Sequence, residues 1–127
     1  MLAYERLDAW KVSHELAIAV VGVVRSLPES QDNGLMGDLV RAAILAPAKI
    51  ARGWGTHQRR MFLHCVAMAS GHLAELSDYL RLAHETGLLP AEKWKELDAI
   101  RGRAAFYTGK LLSSFGPGPD QESPSNE

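Results

Sequence analysis

The sequence predicts an all-α protein, an up-down-up-down antiparallel four-helix bundle, from two observations. First, apolar or small residues recur at alternating steps of four and three over three heptads: Phe62, Val66, Ala69, Leu73, Leu76, Leu80 and Ala83. This alternation places one seam along an α-helix that packs at a shallow angle against near-antiparallel partners. Second, turn signals rich in Pro and Gly divide the chain into four segments of helical length, and no segment shows the period of a strand.

Composition and charge restrict the class of protein. The 127 residues are 46% hydrophobic and 23% charged, which is typical of one globular domain. The net charge of -1 argues against a dedicated nucleic-acid coat or a membrane-surface protein. The single Cys65 cannot form an internal disulfide, and the amino terminus lacks the apolar core of a signal peptide. We therefore expect a cytoplasmic protein.

The first helix is expected to begin with Asp8 as its N-cap and to run until Pro28. Its middle, residues 16–24, reads LAIAVVGVV and is apolar in every direction. A helix that is apolar all round has to be covered all round, whereas every helix of an isolated bundle shows one side to water. The segment therefore indicates contact with another subunit, and the alternative is a surface of small exposed Ala and Gly.

The second helix is expected over about residues 35–52, capped by Asp32 or Asn33. Its centre, residues 42–48, is again apolar and contains Pro47, which removes a backbone amide and should kink the helix. Together with the first helix it supplies the candidate oligomer interface: Leu16, Ile18, Val20, Val21, Val23, Val24, Ile44, Leu45 and Pro47.

The third helix is expected over about residues 57–86, with Thr56 as its N-cap and Gly87 as its end. Gly71 lies within it, and a glycine in mid-helix suggests that another backbone comes close there. Pro90 is expected to open the fourth helix, which reaches about residue 114 with a seam of its own: Leu97, Ile100, Ala104, Tyr107 and Leu111. The bundle is thus predicted over residues 1–115, and the polar residues 116–127 are predicted to be a disordered tail.

One segment is distinctly basic. Residues 41–74 contain five basic residues and no acidic one: Arg41, Lys49, Arg52, Arg59 and Arg60. Two interpretations stay open, a surface that binds nucleic-acid phosphates and a solvated face with some salt bridges between subunits. Arg41 precedes an apolar stretch and would need a partner there, for which Glu75 is the candidate.

The sequence gives no support for catalysis, a metal, a cofactor or a small-molecule substrate. His57, His64 and His72 are seven and eight residues apart, whereas two metal ligands on one helix prefer a spacing of four. No Gly-rich phosphate loop or nucleophile elbow is present. Cys65 is predicted to be a small buried hydrophobe.

Four blocks of sequence, in order, resemble one known family. They are LDAWKVS from Leu7, RAAILAPAKIARGWG from Arg41, ASGHLAEL from Ala69 and HETGLL from His84. The chain resembles, over about residues 5–112, the proteins encoded by intervening sequences in bacterial large-subunit ribosomal RNA genes, to which the accessory protein of diversity-generating retroelements is similar.

The resemblance implies a homopentamer of four-helix bundles around a central channel, without catalytic activity. In some members it implies binding of nucleic acid or reverse transcriptase through a basic surface. This chain departs from the pattern at Lys49 and Arg52, which replace Asn and Glu, and at His72, which replaces Ser. We therefore expect a non-enzymatic, self-assembling structural or adaptor protein; the alternative is a nucleic-acid-binding accessory protein that uses residues 41–60.

Overall fold

A computed structural model describes residues 3–28 and 34–114, and these residues form four α-helices and no strand. A 3₁₀ turn, Ala3–Arg6, precedes α1 (Asp8–Ser26), α2 (Leu35–Gly55), α3 (Arg59–Glu85) and α4 (Ala91–Ser114). The predicted all-α class is confirmed. The predicted tail and the predicted caps Asp32 and Asn33 lie outside the described residues. Within that described part, no helix has the length and apolarity needed to cross a lipid bilayer.

The helices pack in a closed cycle, in which α1 contacts α2 and α4, and α3 contacts the same two helices. The contact between α2 and α3 is the most extensive. Gly53, near the end of α2, lies against Phe62, near the start of α3, and Asp38 and Tyr79 line one cavity near the opposite ends of the two helices, so α2 and α3 run antiparallel. An ion pair of 3.5 Å between Arg103 and Glu15 joins the middles of α4 and α1.

The seam of α3 is the centre of the core. Each of its seven predicted residues, from Phe62 to Ala83, is buried, and none is more than 5% exposed. In α4, Leu97 and Ala104 are buried, while the other predicted seam residues are partly buried against the core. The periodicity therefore identified the inward faces of both helices.

Two predicted helix caps are wrong. Leu7 is the N-cap of α1, and Asp8 is its first residue, where a carboxylate interacts favourably with the helix dipole. Thr56 is the C-cap of α2, and its hydroxyl donates a hydrogen bond of 2.7 Å to the Gly53 carbonyl. Gln58 is the N-cap of α3 and donates its backbone amide to the Thr56 hydroxyl at 3.2 Å.

Other boundaries agree with expectation to within a few residues. α2 continues through the buried Pro47 and ends at Gly55. α3 ends at Glu85, and the predicted stop, Gly87, follows two residues later with a φ of +83°, a left-handed conformation that favours glycine. The Leu88 amide there donates to the Ala83 carbonyl at 2.9 Å. Pro90 directly precedes α4, and its carbonyl accepts the Trp94 amide at 2.9 Å.

The close approach of two backbones lies at Gly53, whereas the sequence placed it at Gly71. Gly71 is exposed, and a Cβ added there would meet nothing within 4 Å. A Cβ added to Gly53 would lie 2.7 Å from the Cβ of Cys65 and 3.2 Å from the Cα of Phe62. Cys65 is buried, as predicted, and lies against Gly53 of α2.

Candidate functional site

An apolar groove lies between α1 and α2, with a volume of about 430 Å³. It is lined by Ala17, Ile18, Val21, Gly22, Arg25 and Ile44, and we call it the α1–α2 groove. Ile18 is 62% exposed and Ile44 is 46% exposed. The groove is thus an apolar surface that extends from one helix to the next.

The predicted interface residues separate into two groups. Within the bundle of a single chain the structure buries Leu16, Val20, Val23 and Pro47. The structure leaves Ile18, Val21, Val24, Ile44 and Leu45 exposed or half-buried. Each of the two apolar stretches therefore turns one flank into the core and leaves another at the surface, and only the second group is available to a neighbouring molecule.

The predicted basic residues concentrate at one end of the bundle. Lys49 and Arg52 lie in the last two turns of α2, and Arg59 and Arg60 lie in the first turn of α3. A turn of three residues connects these helices, so the four side chains belong to one corner, which we call the basic corner. Arg41 stands eleven residues before Arg52 in α2, or about 16 Å along the helix at 1.5 Å per residue.

Two aromatic rings lie at the basic corner. Trp54 and Phe62 meet edge to face with ring centroids 5.5 Å apart, and both line a cavity of about 300 Å³. Phe62 is buried in the α3 seam, as the periodicity requires. Trp54 is half-buried and therefore has part of its ring at the surface.

The predicted pair of Arg41 and Glu75 is wrong. Both residues line one cavity between α2 and α3, but no ion pair joins them in the described part of the chain. Glu75 instead accepts a hydrogen bond of 2.9 Å from Nδ1 of His72. Arg41 is exposed, so water can solvate its guanidinium and no buried partner is required.

His57, His64, His72 and Cys65 are the residues for which the sequence predicts neither a metal site nor a catalytic pair. In the ranges 3–28 and 34–114, no group of three or more His, Cys, Asp or Glu residues could hold a metal ion. His64 is exposed while its neighbour Cys65 is buried, so the two side chains face different environments.

Comparisons with known proteins agree with this architecture. A solved structure of a protein with unknown function from the S23 ribosomal protein family of Bacteroides thetaiotaomicron superposes with a TM-score of 0.77 at 15% identity. The superposition covers 83% of this chain and 98% of that chain, and at this identity it shows the fold alone. No curated protein matches the sequence. Residues 5–103 match the family described as 23S rRNA-intervening sequence protein. The chain therefore belongs to the 23S rRNA-intervening sequence protein family.

Proposed function

We propose that the protein is a non-enzymatic, cytoplasmic structural or adaptor component that assembles with copies of itself into a ring, a homopentamer. The α1–α2 groove carries this proposal, because it leaves Ile18 and Ile44 in water in a single chain. The resemblance to pentameric four-helix bundles supports the subunit number. The match to a family without an enzymatic description supports a role other than catalysis.

Burial of the groove would supply the driving force for assembly. Covering a large aliphatic side chain contributes about 1.5–3 kcal/mol when it passes fully from water to an apolar contact. Ile18 and Ile44 each retain about half of that exposure in one chain. In a ring, every subunit uses two different surfaces, so each chain gains two interfaces and the closed assembly leaves no groove uncovered.

The charge of Arg25 in the groove favours one specific contact between subunits over non-specific aggregation. Among the described residues that line the groove, Arg25 is the one basic residue and none is acidic. An acidic side chain of the neighbouring subunit could therefore pair with Arg25 at the rim and fix the orientation of the contact. If two grooves met each other, the two Arg25 side chains would repel and the contact would close as a dimer. We therefore propose that the groove contacts a different surface of the next subunit, as a ring requires.

Ile18→Glu is expected to dissociate the assembly. The substitution places a carboxylate where the proposed interface is desolvated, and leaving an unpaired charge there costs several kcal/mol per contact. A matched control is Ala99→Glu on α4, because Ala99 is exposed, lies outside the groove and carries no large apolar side chain. Gel filtration at one protein concentration should show Ile18→Glu eluting as the single chain and Ala99→Glu eluting with the wild type.

The proposal fails if Ile18→Glu, folded by circular dichroism, elutes with the wild type. It also fails if both variants dissociate equally, because added negative charge alone would then explain the change.

The basic corner supports a second candidate function, binding of nucleic acid through phosphates. The observation in its favour is that four of the five predicted basic residues come together there, beside the half-buried Trp54. In a ring this corner would be repeated in every subunit, and multivalent contacts bind even when each one is weak.

For this second function, Arg59→Ala with Arg60→Ala should weaken binding to RNA or duplex DNA in a gel-shift titration. Removing one arginine that binds a phosphate should reduce the slope of log affinity against log salt by about 1. Arg81→Ala is the matched control, because Arg81 is an exposed arginine near the other end of α3. Absence of any shift at micromolar protein, or equal weakening with Arg81→Ala, would exclude the basic corner as the binding surface.

A further inference from the structure

A second cavity, between α2 and α3, has a wall that is about equally polar and apolar and a volume of about 230 Å³. It is lined by Asp38, Arg41, Ala42, Leu45, His72, Glu75 and Tyr79, and we call it the α2–α3 cavity. It shares no residue with the α1–α2 groove or with the cavity beside Trp54. Its lining combines one guanidinium, two carboxylates, an imidazole and a phenol with the apolar side chains of Ala42 and Leu45.

The imidazole of His72 makes one hydrogen bond, through Nδ1, and lacks a second one at Nε2. Its Nδ1 lies 2.9 Å from Oε1 of Glu75, and an ionised carboxylate can only accept, so Nδ1 carries the proton. In the neutral ring Nε2 is then an acceptor. This nitrogen is buried and has no hydrogen-bond partner among the described residues. Buried polar atoms nearly always have a partner, so this nitrogen is an exception in the wall of the cavity.

The charges in the α2–α3 cavity do not neutralise one another. Among the residues that the structure describes, no ion pair joins Arg41 to Asp38 or to Glu75. A simple anion would meet two carboxylates in this space, and a simple cation would meet the guanidinium. A molecule that carries both charges fits the lining, because its carboxylate can bind the guanidinium while its ammonium group faces the two carboxylates.

We propose that the α2–α3 cavity binds a free α-amino acid with an aliphatic side chain, such as leucine or valine. The carboxylate of the ligand binds Arg41, its ammonium group binds Asp38, and its side chain contacts Leu45. The ligand is compact, because the cavity is smaller than the roughly 300–1,000 Å³ of sites for drug-sized molecules. This inference is independent of assembly and of nucleic-acid binding.

The test is isothermal titration calorimetry of the full chain with leucine, valine and isoleucine, and with two fragments of leucine. The fragment 4-methylpentanoate lacks the ammonium group, and 3-methylbutylamine lacks the carboxylate. At least one of the amino acids should bind saturably. Each fragment should bind about tenfold more weakly than leucine or worse, since each lacks one charge-assisted hydrogen bond.

Two variants show whether binding occurs in the α2–α3 cavity. Arg41→Met should weaken leucine binding about tenfold or more, whereas Arg81→Met should leave it unchanged, because Arg81 lies outside the cavity. Asp38→Asn should weaken leucine and strengthen 4-methylpentanoate, because it removes a repulsive carboxylate. This opposite effect on two ligands cannot come from general loss of structure.

The proposal is overturned if none of the three amino acids binds the folded chain at concentrations up to the solubility limit of that amino acid. It is equally overturned if leucine binds Arg41→Met as tightly as it binds the wild type. Light scattering reports assembly separately, so failure of ligand binding is distinguishable from failure of the proposed ring.

Discussion

Leu76→Ala is expected to lower the free energy of unfolding by about 3 kcal/mol, within the range of 2–5 measured for buried leucines. Leu76 has no exposed surface and lies in the middle of the α3 seam. Truncation removes three heavy atoms from a position that contacts core residues on every side, and helices on all sides limit how far the cavity left behind can collapse. The effect should appear as a lower denaturation midpoint in urea.

Leu82→Ala is the matched control for Leu76→Ala, because it makes the same substitution six residues later in the same helix. Leu82 is 46% exposed, so its truncation should cost well under half as much. Both variants have to be compared at one protein concentration, because subunit association would add to apparent stability. Equal losses at the two positions would show that the seam is not the centre of the core.

Gly53→Ala is expected to destabilise the protein by about 1–3 kcal/mol, the range for inserting a methyl into a packed site. The new Cβ would lie 2.7 Å from the Cβ of Cys65 and 3.2 Å from the Cα of Phe62. Neither atom belongs to the flexible end of a side chain, so relief requires α2 and α3 to move apart. The gain of about 1 kcal/mol that Ala normally brings over Gly inside a helix offsets only part of this cost.

Gly71→Ala is expected to change the free energy of unfolding in the opposite direction. Gly71 also lies within a helix, but a Cβ there meets nothing within 4 Å. The substitution should therefore raise the free energy of unfolding by up to about 1 kcal/mol. Thermal denaturation of the two variants beside the wild type checks both expectations, and a loss of stability in Gly71→Ala would mean that a neighbouring subunit packs closely on this face.

Periodicity predicted the parts of this fold that depend on many residues at once. The α3 seam from Phe62 to Ala83 was identified correctly because each turn of a packed helix has to present an apolar side chain inward. The end of α3 was predicted to within two residues from Gly87, because glycine takes a left-handed φ without strain.

Features that depend on one residue or on a tertiary contact were not predictable in the same way. Asp8 and Thr56 both have cap chemistry, yet a shift of one or two residues in the boundary assigned them other positions. Gly53 and Gly71 look alike in the sequence, and only the partner helix distinguishes them.

The candidate sites were predicted in part. The apolar stretches contain five of the six residues that line the α1–α2 groove, all except Arg25, but the sequence could not say which flank of each stretch turns inward. The α2–α3 cavity was not predicted, because its lining comes from polar residues spread over two helices. Two signals for it were available: the predicted pairing of Arg41 with Glu75, which both line the cavity, and His72 at a position where the family pattern has Ser.

The central claim is that a second copy of the chain covers the α1–α2 groove, and the mass of the wild-type particle tests it most directly. Multi-angle light scattering during gel filtration should give five times the 13.9 kDa of one chain. A particle of 13.9 kDa at every concentration measured would contradict the account, because Ile18 and Ile44 would then remain in water in the native protein.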